Sequence, residues 1–346
     1  MKSVPRLAWA TLVAVFALAS MALADQTAPT ATLPSPADKL VVAVSPRDDT
    51  ANVLLVNNDR LALLKSIKVG KGPQEVCLTP DGSKAYVSNT GGDGLTVIDL
   101  ATLTVTGTVA DAGVKGPAGA AFTPDGKKLY VAARGTQALF VLSPTGQILK
   151  QVPMKDPTMV AVSPDGRRVY AASDSTQSVL VFDTATDTQV ATIKTSRQPH
   201  GLAFTNDGKT LLVTCIAHDV MHYVSTATNE VLTTVGVGRS PQSVAVTPDG
   251  RLAFSVTREV RAGGVGGVVS TVSVMDLRGN YWRKVKDILV EPMASKVVVS
   301  ADGAFLYVTC GAAEPSKTIT IIDVLTLEIV RFANGGTGAM GMVYRK

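Results

Sequence analysis

A short apolar segment follows a turn-forming tetrapeptide six times along this chain, at intervals of about 40 residues. The tetrapeptide has the form Thr/Ser-x-Asp-Gly, and alternating segments such as AYVSN, LYVAA and LLVTC come shortly after it. The tetrapeptides begin at Thr79, Thr123, Ser163, Thr205, Thr247 and Ser300. Alternation of apolar and polar positions predicts β-strands, and a repeat of this length predicts a stacked or closed repeat architecture.

One repeat can be followed through residues 72–111. Four alternating segments, GPQEVCLT, KAYVSN, LTVIDL and TVTGTV, are separated by PDG, TGGDG and ATL. The apolar residues have no helical spacing, so we predict four short antiparallel strands, named a, b, c and d in chain order. A four-stranded antiparallel sheet repeated about every 40 residues is typical of a β-propeller blade.

The number of blades follows from the number of predicted strands. Seven segments fit strand a, and seven fit strand b. The first blade begins at strand b, with KLVVAVS from Lys39, and the chain ends with a lone a-like segment, MGMVY at 340–344. We therefore predict an all-β, seven-bladed β-propeller of four-stranded antiparallel blades. The C-terminal strand supplies strand a of blade one and closes the ring, which removes an open sheet edge.

The N-terminal segment differs from the repeats. A basic start, MKSVPR, precedes an apolar run that ends in Ala-Leu-Ala, which is typical of a secretory signal with a small-residue cleavage site. We assign residues 1–24 to this signal, 25–38 to a flexible leader and 39–346 to the propeller. The alternative is a retained membrane anchor, for which the run is short. We expect a periplasmic or secreted monomer with no membrane span after cleavage.

Charge and cysteine content limit the classes of partner and the kinds of site that we expect for this protein. The formal net charge is +5, and no basic run is dense enough for nucleic acid, so we expect no nucleic-acid partner. Three cysteines, Cys77, Cys215 and Cys310, leave at least one thiol unpaired, and none has CxxC spacing. We interpret all three as reduced thiols in apolar surroundings.

The segments LYVTC, AYVSN and LLVTC, each after a PDG-type turn and before strands such as LTVIDL or VSVMDL, resemble the YVTN family of propeller repeats. The resemblance covers essentially all of 39–346. WD40-like repeats fit less well, because the Gly-His and Trp-Asp dipeptides are missing. Relatives of the YVTN family include surface-layer proteins, lactonase-like enzymes and heme-d1-binding propellers. The resemblance therefore implies a fold and leaves the function open.

Carboxylates that recur from repeat to repeat are interpreted as turn residues, because Asp readily bonds its own backbone in turns. One set lies in the turn tetrapeptides and another at the turn between strands c and d. The first set is Asp81, Asp125, Asp165, Asp207, Asp249 and Asp302, and the second is Asp99, Asp183, Asp276 and Asp323. We assign no catalytic role to either set.

All three histidines, His200, His218 and His222, fall in blade five and depart from the repeat. The d–a connectors and b–c loops of a propeller emerge on one face, which places His200 with His218 and Asp219. His200 and His218 are candidate ligands of a transition metal, and an imidazole here is also a candidate axial ligand of a bound tetrapyrrole. The alternative is that His200 fills a slot common to all blades and that His218 is solvated.

Other polar residues share this face. Arg197, Arg239 and Gln242 lie in or beside connectors and Arg258 lies in a b–c loop, an arrangement that favours an anionic ligand at the channel mouth. The blade-six loop, TREVRAGGVGGVV, is interpreted as a flap over the same rim. Ordinary solvated loops are the alternative interpretation of these charges.

Two hypotheses for function follow. The first is a non-enzymatic binding or assembly module that acts through this face on another exported protein or a small anionic ligand. The second is a cofactor-handling protein, for a tetrapyrrole or a metal, or a lactonase-like hydrolytic protein that uses the same face. The candidate ligand-binding residues are His200, Arg197, His218, Asp219, Arg239, Gln242 and Arg258.

Overall fold

The computed structural model describes residues 33–35, 37–109, 113–258, 260–261, 268–279, 282–312, 314 and 317–345. The predicted signal, residues 1–24, and most of the predicted leader lie outside these residues, as does the glycine-rich centre of the blade-six loop. Within the described residues, no helix is both long and apolar enough to cross a membrane.

The described strands form seven antiparallel sheets, each with strands a to d side by side. Blade one has β1 (Leu40–Ser45), β2 (Thr50–Asn57) and β3 (Arg60–Lys68); blade two has β4 (Pro73–Leu78), β5 (Lys84–Asn89), β6 (Leu95–Asp99) and β7 (Thr104–Val109). Blade three has β8 (Pro117–Phe122), β9 (Leu129–Ala133), β10 (Ala138–Leu142) and β11 (Ile148–Pro153); blade four has β12 (Pro157–Val162), β13 (Arg168–Ser173), β14 (Ser178–Asp183) and β15 (Thr188–Lys194).

Blade five has β16 (Pro199–Phe204), β17 (Thr210–Cys215), β18 (Val220–Ser225) and β19 (Val231–Gly236), with a 3-10 turn at Ile216–His218. Blade six has β20 (Pro241–Val246), β21 (Leu252–Thr257), β22 (Val260–Arg261), β23 (Val268–Asp276) and β24 (Arg283–Val290). Blade seven has β25 (Ala294–Val299), β26 (Phe305–Cys310), β27 (Ile319–Asp323) and β28 (Glu328–Ala333), and β29 (Met342–Arg345) ends the described chain. The predicted seven-bladed propeller is confirmed.

Burial depends on the position of a strand within its blade. Strands b and c are almost entirely buried, whereas the outer strand d is mostly exposed, as β9 and β7 illustrate. The apolar side chains of strands b and c pack between blades; Val97 of blade two and Phe140 of blade three belong to one such cluster. Because both sheet faces are covered, apolar residues occupy consecutive positions of these strands.

The ring closes at blade one. Strand β29 pairs antiparallel with β1, with Arg345 opposite Leu40 and Met342 opposite Ala43. The guanidinium group of Arg345 is buried and donates hydrogen bonds to the carbonyl groups of Ser35 and Asp38. The first and last strands of the described chain therefore belong to one sheet, as the sequence predicted.

The seven a strands line the central channel, and each contacts the next around the ring. Glycine is required where two of them approach most closely. A Cβ atom at Gly119 would lie 2.7 Å from Cα of Met159, and one at Gly201 would lie 2.9 Å from Cα of Ser243. Gly341, next to β29, is packed as closely against β4. Any larger residue at these positions would push the inner strands apart.

The recurring aspartates lie in turns. Asp125 Oδ1 accepts hydrogen bonds from the Thr123 hydroxyl group and from Lys127 N, and Gly126 has a positive φ of 70°. Asp99 accepts from the backbone of Thr102 in the same way at the c–d turn. These turns project from one face of the ring, and the d–a connectors and b–c loops project from the other.

Blade six departs from the expected loop. Strand β22 pairs with the start of β23, with Val260 opposite Val269, so part of the segment interpreted as a flap extends the sheet as a hairpin. This happens because the segment is long enough for strand c to continue beyond strand b before the chain turns. The residues between Arg261 and Val268 lie outside the described part.

Candidate functional site

A cavity of about 360 Å³ opens at the channel mouth, on the face that carries the d–a connectors. Its wall is built mainly from the second residue of successive a strands, which follows the proline that starts the strand in most blades. These wall residues are Gln74, Thr158, His200, Gln242 and Ser295, with Met340 at the corresponding place before β29. Residues of the b–c loops, including Arg134, Asp174, Ile216 and Arg258, complete the lining.

His200 has one ring nitrogen committed and one free for a ligand. Its Nδ1 lies 2.8 Å from the carbonyl oxygen of Gln242, an acceptor, so Nδ1 carries the proton. In the described part of the chain, no hydrogen-bond partner is found for Nε2, which therefore keeps its lone pair. This is the arrangement of metal-ligating histidines, whose second nitrogen donates to a carbonyl or carboxylate group.

The surroundings of His200 keep it neutral. Burial lowers the pKa of the imidazole, and the positive charges of Lys296 and Arg258 lower it further. The hydrogen bond with the Gln242 carbonyl group and the charge of Glu75 act in the opposite direction. The net effect is a lowered pKa, so the ring is unprotonated at neutral pH and can bind a metal or accept a hydrogen bond.

Most of the described charged side chains around the cavity form ion pairs with one another, but one does not. Glu75 and Lys296 form an ion pair at 2.8 Å across the inner ring, and both side chains are mostly buried. Arg134 and Asp174 pair at 3.2 Å at the rim. Arg258 forms no side-chain hydrogen bond or ion pair with any other described residue, and its Nε is buried without a partner. The lining therefore carries one uncompensated positive charge, at Arg258.

The structure brings three of the seven candidate residues together. His200, Gln242 and Arg258 line the cavity. Arg197 and Arg239 are exposed and lie outside the lining.

The other two candidates serve as hydrogen-bond acceptors for connectors. His218 Nδ1 accepts a hydrogen bond from Arg197 N at 3.1 Å, and Asp219 Oδ1 accepts one from Ser240 N at 2.8 Å. Both residues therefore hold backbone segments beside the site. No group of three or more His, Cys, Asp or Glu side chains in the described ranges is placed to hold a metal ion.

Several lining residues were not among the candidates. Glu75 is the clearest example, because its ion pair with Lys296 joins two inner strands that are not sequence neighbours. Thr158 and Ser295 were missed too, although a sequence signal exists for them. Each occupies the same place as His200 in its own a strand, so aligning the repeats on this slot identifies the wall of the cavity.

The cytochrome D1 heme domain family matches residues 158–345, a range that includes His200, Gln242 and Arg258. This chain belongs to that family. Residues 3–152 match a second family, described as YNCE-like beta-propeller. No curated protein sequence matches the chain significantly.

Solved structures share the fold of this family member at low sequence identity. Hydrazine synthase of Kuenenia stuttgartiensis is 22% identical, with a TM-score of 0.68 over 79% of this chain and 90% of that one. A functionally unknown protein of Desulfotomaculum acetoxidans DSM 771 is 17% identical, with a TM-score of 0.73 over 88% and 98%. Dihydro-heme d1 dehydrogenase NirN in complex with DHE is 16% identical, with a TM-score of 0.65 over 89% and 75%. At these identities the likeness establishes the fold alone.

The described residues fit an iron tetrapyrrole at two points. A neutral imidazole with a free Nε2 is the ligand that heme iron takes from histidine, and the unpaired Arg258 suits a peripheral carboxylate group of the ring. The remaining lining is mostly polar, with Ile216, Pro199 and Met340 as its apolar members.

Proposed function

We propose that this protein is a non-enzymatic binding module that holds a carboxylate-bearing iron tetrapyrrole at the channel mouth. The observation that carries the proposal is the state of His200: Nδ1 is fixed on the Gln242 carbonyl group and Nε2 is left without a described partner. His200 would hold the iron through Nε2. When bound, the tetrapyrrole supplies an iron centre with its own redox chemistry, and the protein supplies position and electrostatics.

Gln242 and Arg258 have separate roles in this proposal. The backbone carbonyl group of Gln242 fixes the tautomer and the orientation of the imidazole, because it accepts the Nδ1 proton. Arg258 pairs with a carboxylate group of the ligand, since its guanidinium group has no described partner and burial strengthens charge pairing. The Glu75–Lys296 ion pair balances its own charges and leaves that attraction intact.

The hydrolytic alternative has less support from the geometry. A general base needs a carboxylate or imidazole free to take a proton from water. His200 meets this requirement through its free Nε2, but Glu75 is held by Lys296 and Asp174 by Arg134, so neither carboxylate in the lining is free as a second acid or base beside it. We also propose that the protein works in the periplasm as a monomer, on the strength of the predicted signal at residues 1–24.

The proposal is tested by titrating purified protein with ferric heme and following the Soret band. We expect wild-type protein to bind and His200→Ala to bind roughly 10- to 100-fold more weakly, which corresponds to about 1.4–3 kcal/mol. Added imidazole should restore the wild-type spectrum in His200→Ala, because it replaces the missing ligand. Arg239→Ala is the control: it removes an exposed side chain that lies outside the cavity lining and should leave the spectrum unchanged.

Two results would overturn the proposal. One is the absence of a spectral change in wild-type protein at any heme concentration. The other is the same affinity and spectrum in wild type and His200→Ala. In either case the face would bind another exported protein or an anion without iron, and a titration with a simple tricarboxylate against Arg258→Ala would then examine the anion alone.

A further inference from the structure

The other two histidines of blade five hold the connector that leads to His200. The connector comprises Thr195, Ser196, Arg197 and Gln198, between β15 and β16. His222 Nε2 accepts a hydrogen bond from Ser196 N at 3.0 Å, and His218 Nδ1 accepts one from Arg197 N at 3.1 Å. Two consecutive backbone N–H groups therefore depend on two imidazole lone pairs.

The same connector position is held by hydroxyl groups in other blades. In blade two, Gly70 N donates to Thr96 Oγ1 at 3.1 Å, and in blade six, Gly238 N donates to Ser273 Oγ at 3.0 Å. Thr96, Ser273 and His222 occupy the same place in strand c, opposite Val87, Ser255 and Val213 of strand b, respectively. In blade five, a titratable imidazole therefore makes the contact with the connector that a hydroxyl group makes in blades two and six.

Blade three gives the corresponding comparison for His218. There Lys115 N donates a hydrogen bond of 2.9 Å to Oγ1 of Thr136, which lies in the b–c loop of the same blade. Lys115 lies two residues before the proline that starts its a strand, as Arg197 does before Pro199. A hydroxyl group keeps its acceptor lone pairs at any physiological pH, whereas an imidazole loses its lone pair when it is protonated.

The connector is coupled closely to the cavity. Gln198 lines the cavity, adopts a positive φ of 59° and accepts a hydrogen bond from Ile216 N at 2.9 Å. Pro199 follows it directly, and His200 is the next residue. A left-handed conformation at a non-glycine residue is strained and persists only where neighbouring contacts hold it. Loss of the contacts at Ser196 and Arg197 would therefore displace the start of β16.

We propose that His218 and His222 are positioning residues, which hold the connector of His200 through the lone pairs of their imidazole rings, and that His222 releases the connector when it is protonated. The consequence for ligand binding rests on the proposed function: acidification would weaken binding by moving His200, in addition to any effect on His200 itself. The positioning role itself does not depend on the proposed function, because it is inferred from the hydrogen bonds to the connector alone.

The surroundings of His222 agree with this role. Its Nδ1 donates to Thr234 Oγ1 at 2.7 Å, and the Ser196 hydroxyl group lies 3.1 Å from Nε2. Among charged groups, His218 acts on it most directly; burial and then His218 lower its pKa. The sign follows: the neutral, connector-holding form is present at neutral pH and is lost as the pH falls through the lowered pKa. Beside His218, the carboxylate of Asp219 is engaged with Ser240 N, and the side chain of Arg197 is exposed.

Amide hydrogen exchange at Ser196 and Arg197, in the ligand-free protein, tests the positioning role. We expect both amides to be protected at pH 7.5, and the Ser196 amide to lose at least 10-fold in protection at an acid pH below the lowered pKa of His222, after correction for intrinsic exchange. His222→Gln should stay protected at Ser196 at both pH values, because the amide oxygen accepts the bond and does not titrate. His222→Ala should be unprotected at both. His218→Asn and His218→Ala form the corresponding pair for Arg197.

Heme titration at the same two pH values then tests the coupling. The double variant His218→Asn/His222→Gln should bind as wild type does at pH 7.5 and lose less affinity at the acid pH. Amide protection that is independent of pH in wild type would overturn the positioning role, whether or not heme binds. pH-dependent protection without heme binding would leave the positioning role standing and refute only the proposed ligand. Equal losses of heme affinity at the acid pH in wild type and the double variant would overturn the coupling.

Discussion

The three cysteine side chains show how burial sets the chemistry of single residues. Cys215 and Cys310 end b strands and are fully buried, and Cys77 in β4 is partly exposed. Burial raises the pKa of all three thiols to about 12, and at Cys77 the nearby Glu75 adds to the effect. Since the thiolate is the reactive form, none of the three is suited to nucleophilic or redox chemistry.

We expect the three thiols to be nearly inert towards a disulfide reagent in native protein at pH 8. Only about one thiol in ten thousand is ionised when the pKa lies four units above the pH. Cys77 should react first, because it is the exposed one. Titration after denaturation without reductant should find all three thiols free. Fewer than three, or fast labelling of native protein, would contradict the assignment of buried free thiols.

For single residues, the sequence predicted the face of the propeller on which a side chain lies better than it predicted that side chain's hydrogen-bond or ion-pair partner. His200, Gln242 and Arg258 could be placed at one mouth because strand order alone decides which loops share a face. The roles of His218 and Asp219 could not be predicted, since a histidine beside a loop may bind a ligand or accept a backbone N–H bond, and only the direction of the lone pair distinguishes the two. The Glu75–Lys296 ion pair likewise depends on how two distant strands approach.

At the scale of elements, strand β29 is the component on which the ring depends. It pairs with β1, contacts the inner strands β25 and β4, and ends in Arg345, which holds the backbone at Ser35 and Asp38. Met342 is buried in a cluster with Tyr307 of blade seven. Removal of the strand would expose the edge of β1 and the apolar faces on both sides of it.

We expect deletion of residues 338–346 to destabilise the protein by several kcal/mol, against a typical total of about 5–15 kcal/mol for a folded domain. Thermal melting followed by circular dichroism should show a lost or broadened transition, and light scattering should show aggregation. A chain that lacks only Lys346 is the control and should melt as the full chain does. An unchanged melt for the longer deletion would refute closure by β29.

Strands b and c were predicted well because their apolar segments are repeated in all seven blades, so a weak signal in one blade is supported by the others. The hairpin in blade six was not predicted. Its sequence is rich in glycine, which favours a loop, yet Val260 and Val269 are opposite each other and extend the sheet. Local composition could not show this, because the pairing depends on the register that β21 imposes on β23.

At the scale of the whole molecule, six equivalent turns contribute a common electrostatic property. Each turn aspartate accepts a hydrogen bond from a Thr or Ser hydroxyl group and one from a backbone N–H group two residues later. These bonds lower the pKa of every one of the six carboxyl groups; the residues are Asp81, Asp125, Asp165, Asp207, Asp249 and Asp302. Each of these six turns therefore favours an ionised carboxylate in the folded protein.

We expect the free energy of unfolding to be nearly constant between pH 7 and pH 5 apart from the histidine effect, and to fall steeply below about pH 4. A carboxyl group with a lowered folded pKa stabilises the protein above its unfolded pKa of about 3.9, and the stabilisation is lost as the pH falls through the folded value. Urea unfolding from pH 6 to pH 3 should show an uptake of more than one proton on unfolding.

Asp125→Ser is the matched variant for this acid-stability prediction. It should be less stable than wild type at pH 7, because it lacks a charged acceptor in one turn. The difference should shrink as the pH falls below about 3.9 and through the lowered pKa of Asp125, since the wild-type carboxyl group then becomes protonated. A constant difference at all pH values would show that the turn charge does not contribute.

The pairing of β29 with β1 also sets an order of events during synthesis. Arg345 is opposite Leu40, so the first and last strands of the propeller meet although almost the whole chain separates them. Contacts of such long sequence separation form slowly, and a chain made from its N-terminus can complete its early units first. Strands β1 to β3 must wait, with the inner edge of β1 unpaired, until β29 is available to pair with it. Blade one is therefore the first to be made and the last to be finished.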